Sequence, residues 1–172
     1  ANKNKNKNQK PSIRTMKLIL VGKAAAGKDH LKTRLSSKGF KAGVSHTTRT
    51  PRENEVDGKD YYFISVDKFE AMIASGAFIE YMKFNGWYYG QTEEDFNQSD
   101  VMIMSKDGLD ILPKKYRDQC MVIYLDPSRM SRVERLQHRN DLNDSIVRRM
   151  NTDDEQFKNF RDYDLHITND DF

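Results

Sequence analysis

At 172 residues the chain has room for one domain with a sizeable core. Its 29 basic and 26 acidic residues leave a net charge of +3, which argues against a general nucleic-acid binder but allows clustered basic residues to serve a small polyanion. A single cysteine, Cys120, excludes an internal disulfide framework, and no apolar run reaches transmembrane length.

Residues 1–13, an alternation of Asn and Lys closing on Pro11 and Ser12, read as a disordered, solvated tail. They lack the apolar core of a signal peptide, and a cytoplasmic protein is expected. The apolar run Leu18 to Val21 reads as a strand. Gly22-Lys23-Ala24-Ala25-Ala26-Gly27-Lys28-Asp29 follows and opens into a helix-compatible segment, His30 to Lys38. Strand, glycine loop and helix start form the context in which G-x-x-x-x-G-K cradles phosphate. The glycines let successive N–H groups face one anion, the helix start adds free donors, and Lys28 reaches the β- and γ-phosphates as a mobile charge. An ordinary glycine turn with Lys28 in solvent is the alternative. Asp29 stands where Ser or Thr usually offers a hydroxyl to Mg2+.

Further along, Phe40 to Ser45 is expected as a short strand, His46 to Arg52 is polar with Pro51 disfavouring helix at Thr50, Tyr61 to Ser65 is expected as a strand, and Val66 to Ser75 as a helix capped by Ser65. Phe78 to Phe84 and Trp87 to Tyr89 flank Asn85-Gly86, a strong hairpin signal, and Thr92 opens a short helix. Val101 to Met104 and Met121 to Leu125 read as strands buried on both faces of a parallel sheet, with Cys120 a buried structural thiol. Helix is expected from Pro127 to about His138 and, after an Asn-Asp break, from Ser145 to Tyr163; a last strand runs from Asp164 to Thr168. The fold class is α/β: a P-loop NTPase-type parallel sheet with helices on both faces. An inserted β lobe between Phe40 and Tyr89 should face the phosphate loop.

Ser45 to Thr92 carries T-T-R-x-P-R, D-G-x-D-Y-x-F, F-I-E and N-G-x-x-Y-G in that order, and closely resembles the GMP-binding lobe of guanylate kinases. The resemblance runs from about Met16 to Asp171. It implies transfer of the γ-phosphoryl group of ATP to GMP, and to dGMP, with Mg2+ as cofactor. It also implies one domain over 14–172, with a core over about 14–43 and 99–172, a mixed β GMP-binding lobe over about 44–92 and a helical lid over about 135–149. By the match, Gly22, Lys23, Ala24, Ala25, Ala26, Gly27, Lys28, Asp29 and His30 bind ATP, together with Asn169 of the closing N-D motif. Ser45, Arg49, Arg52, Tyr61, Glu80, Tyr89, Gln91 and Ser105 bind GMP. Lys28, Arg49 and the lid arginines Arg135, Arg139 and Arg149 are the catalytic set, Asp29 is the candidate Mg2+ ligand, and Arg132 and Arg148 are expected on the surface.

The residue chemistry agrees with those roles. Guanidinium forks at Arg49 and Arg52 suit a dianionic phosphate. A carboxylate at Glu80 accepts from the N1–H and N2–H2 edge of guanine, a donor pair that adenine lacks. Three positions depart from the family pattern. Asp29 adds a negative charge beside the phosphates: two unit charges about 5 Å apart repel by roughly 3 kcal/mol at an effective dielectric of about 20, so it binds Mg2+, points away or weakens ATP. Ser105 replaces an aspartate, and Gln91 replaces a small hydroxyl residue whose contact with guanine O6 its amide could still supply. The chain also ends at Phe172 without most of the family's final helix, as a truncation or a compact variant would. The competing readings are a guanylate-kinase-like module that binds a protein ligand, disfavoured by the intact Gly22, Gly27 and Lys28, and a nucleoside monophosphate kinase of altered base preference.

Overall fold

The computed structural model describes residues 16–139 and 145–172, so the tail expected over 1–13, the Asn-Asp break and the middle of the expected lid lie outside the described residues. In chain order the first elements are β1 (Lys17–Gly22), α1 (Lys28–Ser37), β2 (His46–Thr47), β3 (Tyr62–Phe63), α2 (Val66–Ala74), β4 (Phe78–Phe84) and β5 (Trp87–Thr92). They are followed by α3 (Glu93–Gln98), β6 (Val101–Ile103), α4 (Lys106–Ile111), α5 (Lys114–Arg117), β7 (Cys120–Leu125), α6 (Arg129–His138), α7 (Ile146–Phe157) and β8 (Leu165–Ile167). Ser65, Thr92, Ser105, Ser128 and Ser145 each cap the helix that follows by accepting a backbone N–H three residues on. No helix among the described residues is long and apolar enough to cross a membrane.

A fully parallel sheet of order β6-β1-β7-β8 forms the core. Its strands are apolar at consecutive positions because their two faces bury alternate residues. Ile19, Val21, Met102, Val122 and Tyr124 face one cluster, completed by Phe96 of α3, Leu109 of α4, Tyr116 of α5 and Phe157 of α7. Leu20, Val101, Ile123 and Leu125 face the other, covered by Leu31 and Leu35 of α1. Cys120 is buried, its Sγ donates to the Tyr116 carbonyl at 3.3 Å, and burial pushes the thiol up to about 11, which makes it a structural residue.

The second sheet, of order β3-β2-β5-β4, is mixed: β2 runs parallel to β3 and antiparallel to β5. Asn85 and Gly86 turn the β4–β5 hairpin with both φ angles positive, at 50° and 82°. Phe69 of α2 is fully buried and stacks on Phe78 and Tyr88, with ring centroids 4.4 and 4.9 Å apart.

Three expectations about elements change. Phe40 to Ser45 makes only an isolated parallel bridge between Ala42 and Val101. The short helices α4 and α5 were not expected, since six and four residues carry too little periodicity to register. Finally, α7 ends at Phe157 rather than Tyr163, because Phe160 and Tyr163 leave the helix to pack their rings around Tyr124.

The lobe's stability rests on the Phe69 stack. Phe69→Ala should cost about 3–5 kcal/mol, read by urea denaturation. A loss below about 1 kcal/mol would show that the three rings do not hold the lobe to its helix.

Candidate active site

Between β1 and α1 the loop winds tightly. Gly27 has φ 96°, and Ala25 lies in the left-handed region at φ 59°, a conformation costing a residue with a side chain about 1–2 kcal/mol. The Ala25 carbonyl is held by Arg135 Nη1 at 3.0 Å, and Arg135 Nη2 bonds the Asp170 carbonyl. Lys28 Nζ donates across the loop to the carbonyls of Gly22 (2.6 Å) and Lys23 (3.0 Å). Burial lowers the Lys28 pKa to about 8, with Asp29 and Asp153 favouring the charged form and Arg139 and Arg132 opposing it. The N–H of Ala24 donates to Asp153 Oδ2 at 2.7 Å. Asp29 is exposed in the first turn of α1, and its charge acts on both Lys28 and Tyr61. His30 is also exposed, its Nε2 3.2 Å from the Phe172 carbonyl.

A cavity of about 250 Å3 separates this loop from the lobe. Gly22, Ala24 and Lys28 line one side, and Ser45, Tyr61, Glu80, Tyr89 and Ser105 line the other. The phase of β4 explains the second set: Glu80, Met82 and Phe84, every second residue, face the cavity. A bulge between Phe78 and Glu80 sets that phase. Around Glu80 the packing is tight. It accepts a bond from the Gln91 backbone, and a Cβ at Gly108 would stand 2.9 Å from Glu80 Oε2, so the neighbouring turn of α4 has to be bare there. Burial pushes the Glu80 carboxyl up to about 7. Ser105 Oγ accepts from Gly108 N at 3.0 Å and donates to Met82 Sδ at 2.8 Å.

Arg49 is 7% exposed and its Nη2 makes two 3.0 Å bonds to Glu55. Its guanidinium stands 5.4 Å from the Tyr61 ring, and Tyr61 meets Tyr89 edge-on at 6.1 Å. Arg52 is more exposed, with Nη1 3.8 Å from the same Glu55. Thus Glu55 gathers both arginines beside the two tyrosines. Burial, then the charges of Asp29 and Tyr89, push the Tyr61 hydroxyl up to about 12, so it remains a hydrogen-bond donor at any physiological pH.

Two sequence expectations are corrected. Gln91 does not line the cavity: it is 1% exposed, its Oε1 accepts from Ser45 Oγ at 2.9 Å, and its Nε2 bonds Asp95. With its amide so engaged, it orients Ser45 instead of reaching a base. Arg132, expected on the surface, is buried. It lies one turn before Leu136, on the face that α6 turns inward, with Nη2 3.2 Å from Asp154 Oδ1 and Nη1 3.7 Å from Asp153 Oδ2. Lys23 joins the same group, 3.2 Å from Asp154 and 3.8 Å from Asp126. Arg148 is exposed as expected, Arg149 is half-buried on α7, and Arg139 closes α6. Asn169 is exposed, beside Asp170, whose carboxylate accepts from Ser128 N (2.7 Å) and Oγ (3.0 Å) and so fixes the start of α6.

The family model for guanylate kinase matches residues 14–172. The chain belongs to the guanylate kinase family. The guanylate kinase of Shewanella denitrificans is 34% identical over 171 residues, covering 94% of this chain and 83% of the relative. That of Thermosynechococcus vestitus is 31% identical over 163 residues, covering 90% and 85%. The crystal structure of the guanylate kinase from Anaplasma phagocytophilum shares the fold, with a TM-score of 0.66 at 22% identity over 91% of this chain and 79% of that one. As a guanylate kinase the chain is an enzyme of ATP-dependent GMP phosphorylation to GDP.

Several residues of this guanylate kinase site escaped the sequence reading. Glu55 holds Arg49 and Arg52; Asp95 holds the Val44 N–H at 3.0 Å and the Gln91 amide; Gln156 Nε2 holds Asp107 Oδ2 at 3.0 Å on the cavity wall. Asp95 had a local signal, three residues after the Thr92 cap, but Asp153 bonds a loop 129 residues away and had none. Among the described residues no group of three or more His, Cys, Asp or Glu side chains could hold a metal. Mg2+ takes one or two carboxylates and fills its octahedron with water and substrate phosphate oxygens, and Asp29, beside the loop, suits that partial role.

The Glu80 carboxyl gives the site a pH signature. If Glu80 reads guanine, the carboxylate can accept from both base donors and the acid cannot, so GMP affinity should rise as pH increases through about 7 and GMP binding should release a proton below that pH. The GMP phosphate titrates near 6 by itself, so the comparison is KM for GMP in wild type and Glu80→Gln from about pH 5.5 to 8.5. Parallel profiles would remove Glu80 from base recognition.

Proposed function

We propose that the lobe side of the cavity binds the acceptor and the loop side binds the donor. GMP sits with its phosphate on Arg49, Arg52, Tyr61 and Tyr89 and its base on Glu80, Ser45 and Ser105. The phosphates of ATP occupy residues Gly22 to His30, with Asn169 toward the adenine. The observation that carries this reading is that Lys28 and Glu80, one from each side, line a single cavity.

Phosphoryl transfer asks for alignment and charge neutralisation more than for covalent help. Lys28, released from its carbonyl contacts, follows the phosphoryl charge as it moves; Arg49 holds the accepting phosphate in line; Arg135, Arg139 and Arg149, from α6 and α7, bring further positive charge and exclude water when the lid closes. Mg2+, with Asp29 as its protein ligand, supplies charge neutralisation on the donor phosphates. dGMP is a second acceptor, because none of the named contacts requires the ribose 2′-hydroxyl. The buried free thiol of Cys120 supports a reducing compartment, the cytoplasm, as the place of action.

An ADP-release assay with ATP against GMP, dGMP, AMP and UMP should show GMP and dGMP turned over at least about 10²-fold more efficiently than the others, since a mismatched base leaves Glu80 unpaired. Equal turnover of AMP would overturn the base assignment. Lys28→Ala should lower kcat by about 10²-fold or more, and unchanged turnover would remove the loop from catalysis. Asp29→Ser should relax the dependence of ATP binding on Mg2+, read by titrating both proteins with ATP across Mg2+ concentrations; superimposable curves would exclude metal contact by Asp29.

A further inference from the structure

One backbone donor of the phosphate loop is already met by a carboxylate of the protein's own. Asp153, from α7, accepts the Ala24 N–H through Oδ2 at 2.7 Å, a bond to the backbone that a donor phosphate would need. Behind the carboxylate stands Arg132. Its side chain is 2% exposed, and its Nη1 is buried with no hydrogen-bond acceptor among the described residues. That nitrogen lies 3.7 Å from the same Asp153 Oδ2, just beyond bonding range. The rest of the guanidinium is anchored: Nη2 bonds Asp154 Oδ1 at 3.2 Å, and Asp154 is tied in turn to Lys23 and Arg129. One carboxylate therefore stands between two donors. It holds the loop N–H and leaves the second, fixed and unmet, within a small side-chain movement.

We infer that Asp153 and Arg132 are a pair of positioning residues for the donor phosphates: the triphosphate takes the Ala24 N–H, and the displaced Asp153 carboxylate moves onto Arg132 Nη1. Left where it is, the carboxylate would compete with the phosphates for the same donor and repel them. Moved onto the guanidinium, it is neutralised, and the buried donor gains its acceptor. This inference rests on the reading of the loop as the ATP site. It assigns Arg132 a role that its place on the inner face of α6 would otherwise confine to packing.

The test is a double-mutant cycle on ATP binding, measured by calorimetry on the full chain without GMP. Asp153→Ala should bind ATP about tenfold more tightly, the equivalent of one charge-assisted bond no longer broken. Arg132→Met should weaken ATP binding about tenfold alone, yet change it by less than about twofold in the Asp153→Ala background, where nothing needs a new partner. Unchanged or weaker binding by Asp153→Ala overturns the inference, as does an Arg132→Met penalty of the same size in both backgrounds, the mark of a merely structural or long-range charge. Melting curves establish that each variant folds; if Arg132→Met does not, Arg132→Lys takes its place in the cycle and Asp153→Ala decides the displacement by itself. ATP binding with an additive cycle overturns only the pair, whereas absence of ATP binding in wild type and every variant overturns the donor site and the pair with it.

Discussion

A backbone N–H turned into a narrow loop costs free energy unless an acceptor meets it, and that constraint shapes the structure around residues 22–28. The loop at residues 23–27 is held there by structure on every side. β1 before it is the second strand of a parallel sheet, α1 begins directly after it, and the left-handed Ala25 is locked by Arg135 through its carbonyl. In the wound loop the Ala26 N–H donates to the Lys23 carbonyl at 3.1 Å, and Asp153 supplies a carboxylate to the Ala24 N–H. Lys28 answers the same demand from the other direction, laying its ammonium on the loop's outward carbonyls.

The acceptor half obeys a different constraint. In the proposed reading guanine is recognised by a charged carboxylate, but a cavity narrow enough to read a base desolvates that charge. Glu80 shows the conflict directly in its raised pKa. The surrounding structure is arranged around it: the β4 bulge aims it, the Gln91 backbone gives it one bond, and Gly108 leaves it room. Glu55 performs the corresponding task for Arg49 and Arg52, holding two forks that would otherwise be long, mobile side chains.

What was legible in the sequence follows from how local each signal is. The strand, glycine loop and helix start around Gly22 to Lys28, the Asn85-Gly86 hairpin and the Ser and Thr caps act within a few residues, and the structure bears out these local elements. Strands buried on both faces were readable because consecutive residues in Leu18 to Val21 and Val122 to Leu125 are apolar and pack alternately into the two clusters, whereas Met121 is exposed. Partners chosen across the fold were not readable. Nothing near Arg132 announced that Asp153 and Asp154, more than twenty residues later, would draw it inward, although its spacing of four from the buried Leu136 placed it on the inner face. Gln91 was misplaced for the same reason, since its engagement by Asp95 depends on how α3 packs.

Helix α7 touches both halves of the cleft at once, Asp153 on the loop and, one turn later, Gln156 on Asp107 of the opposite wall. Two contacts one turn apart on a single helix join the loop wall to the α4 wall, so a shift of the helix at one contact is felt at the other. By reciprocity, any change that ATP makes in GMP affinity through this helix equals the change that GMP makes in ATP affinity. Any coupling between the two nucleotide sites that this helix carries therefore has one size and one sign, read equally from either side.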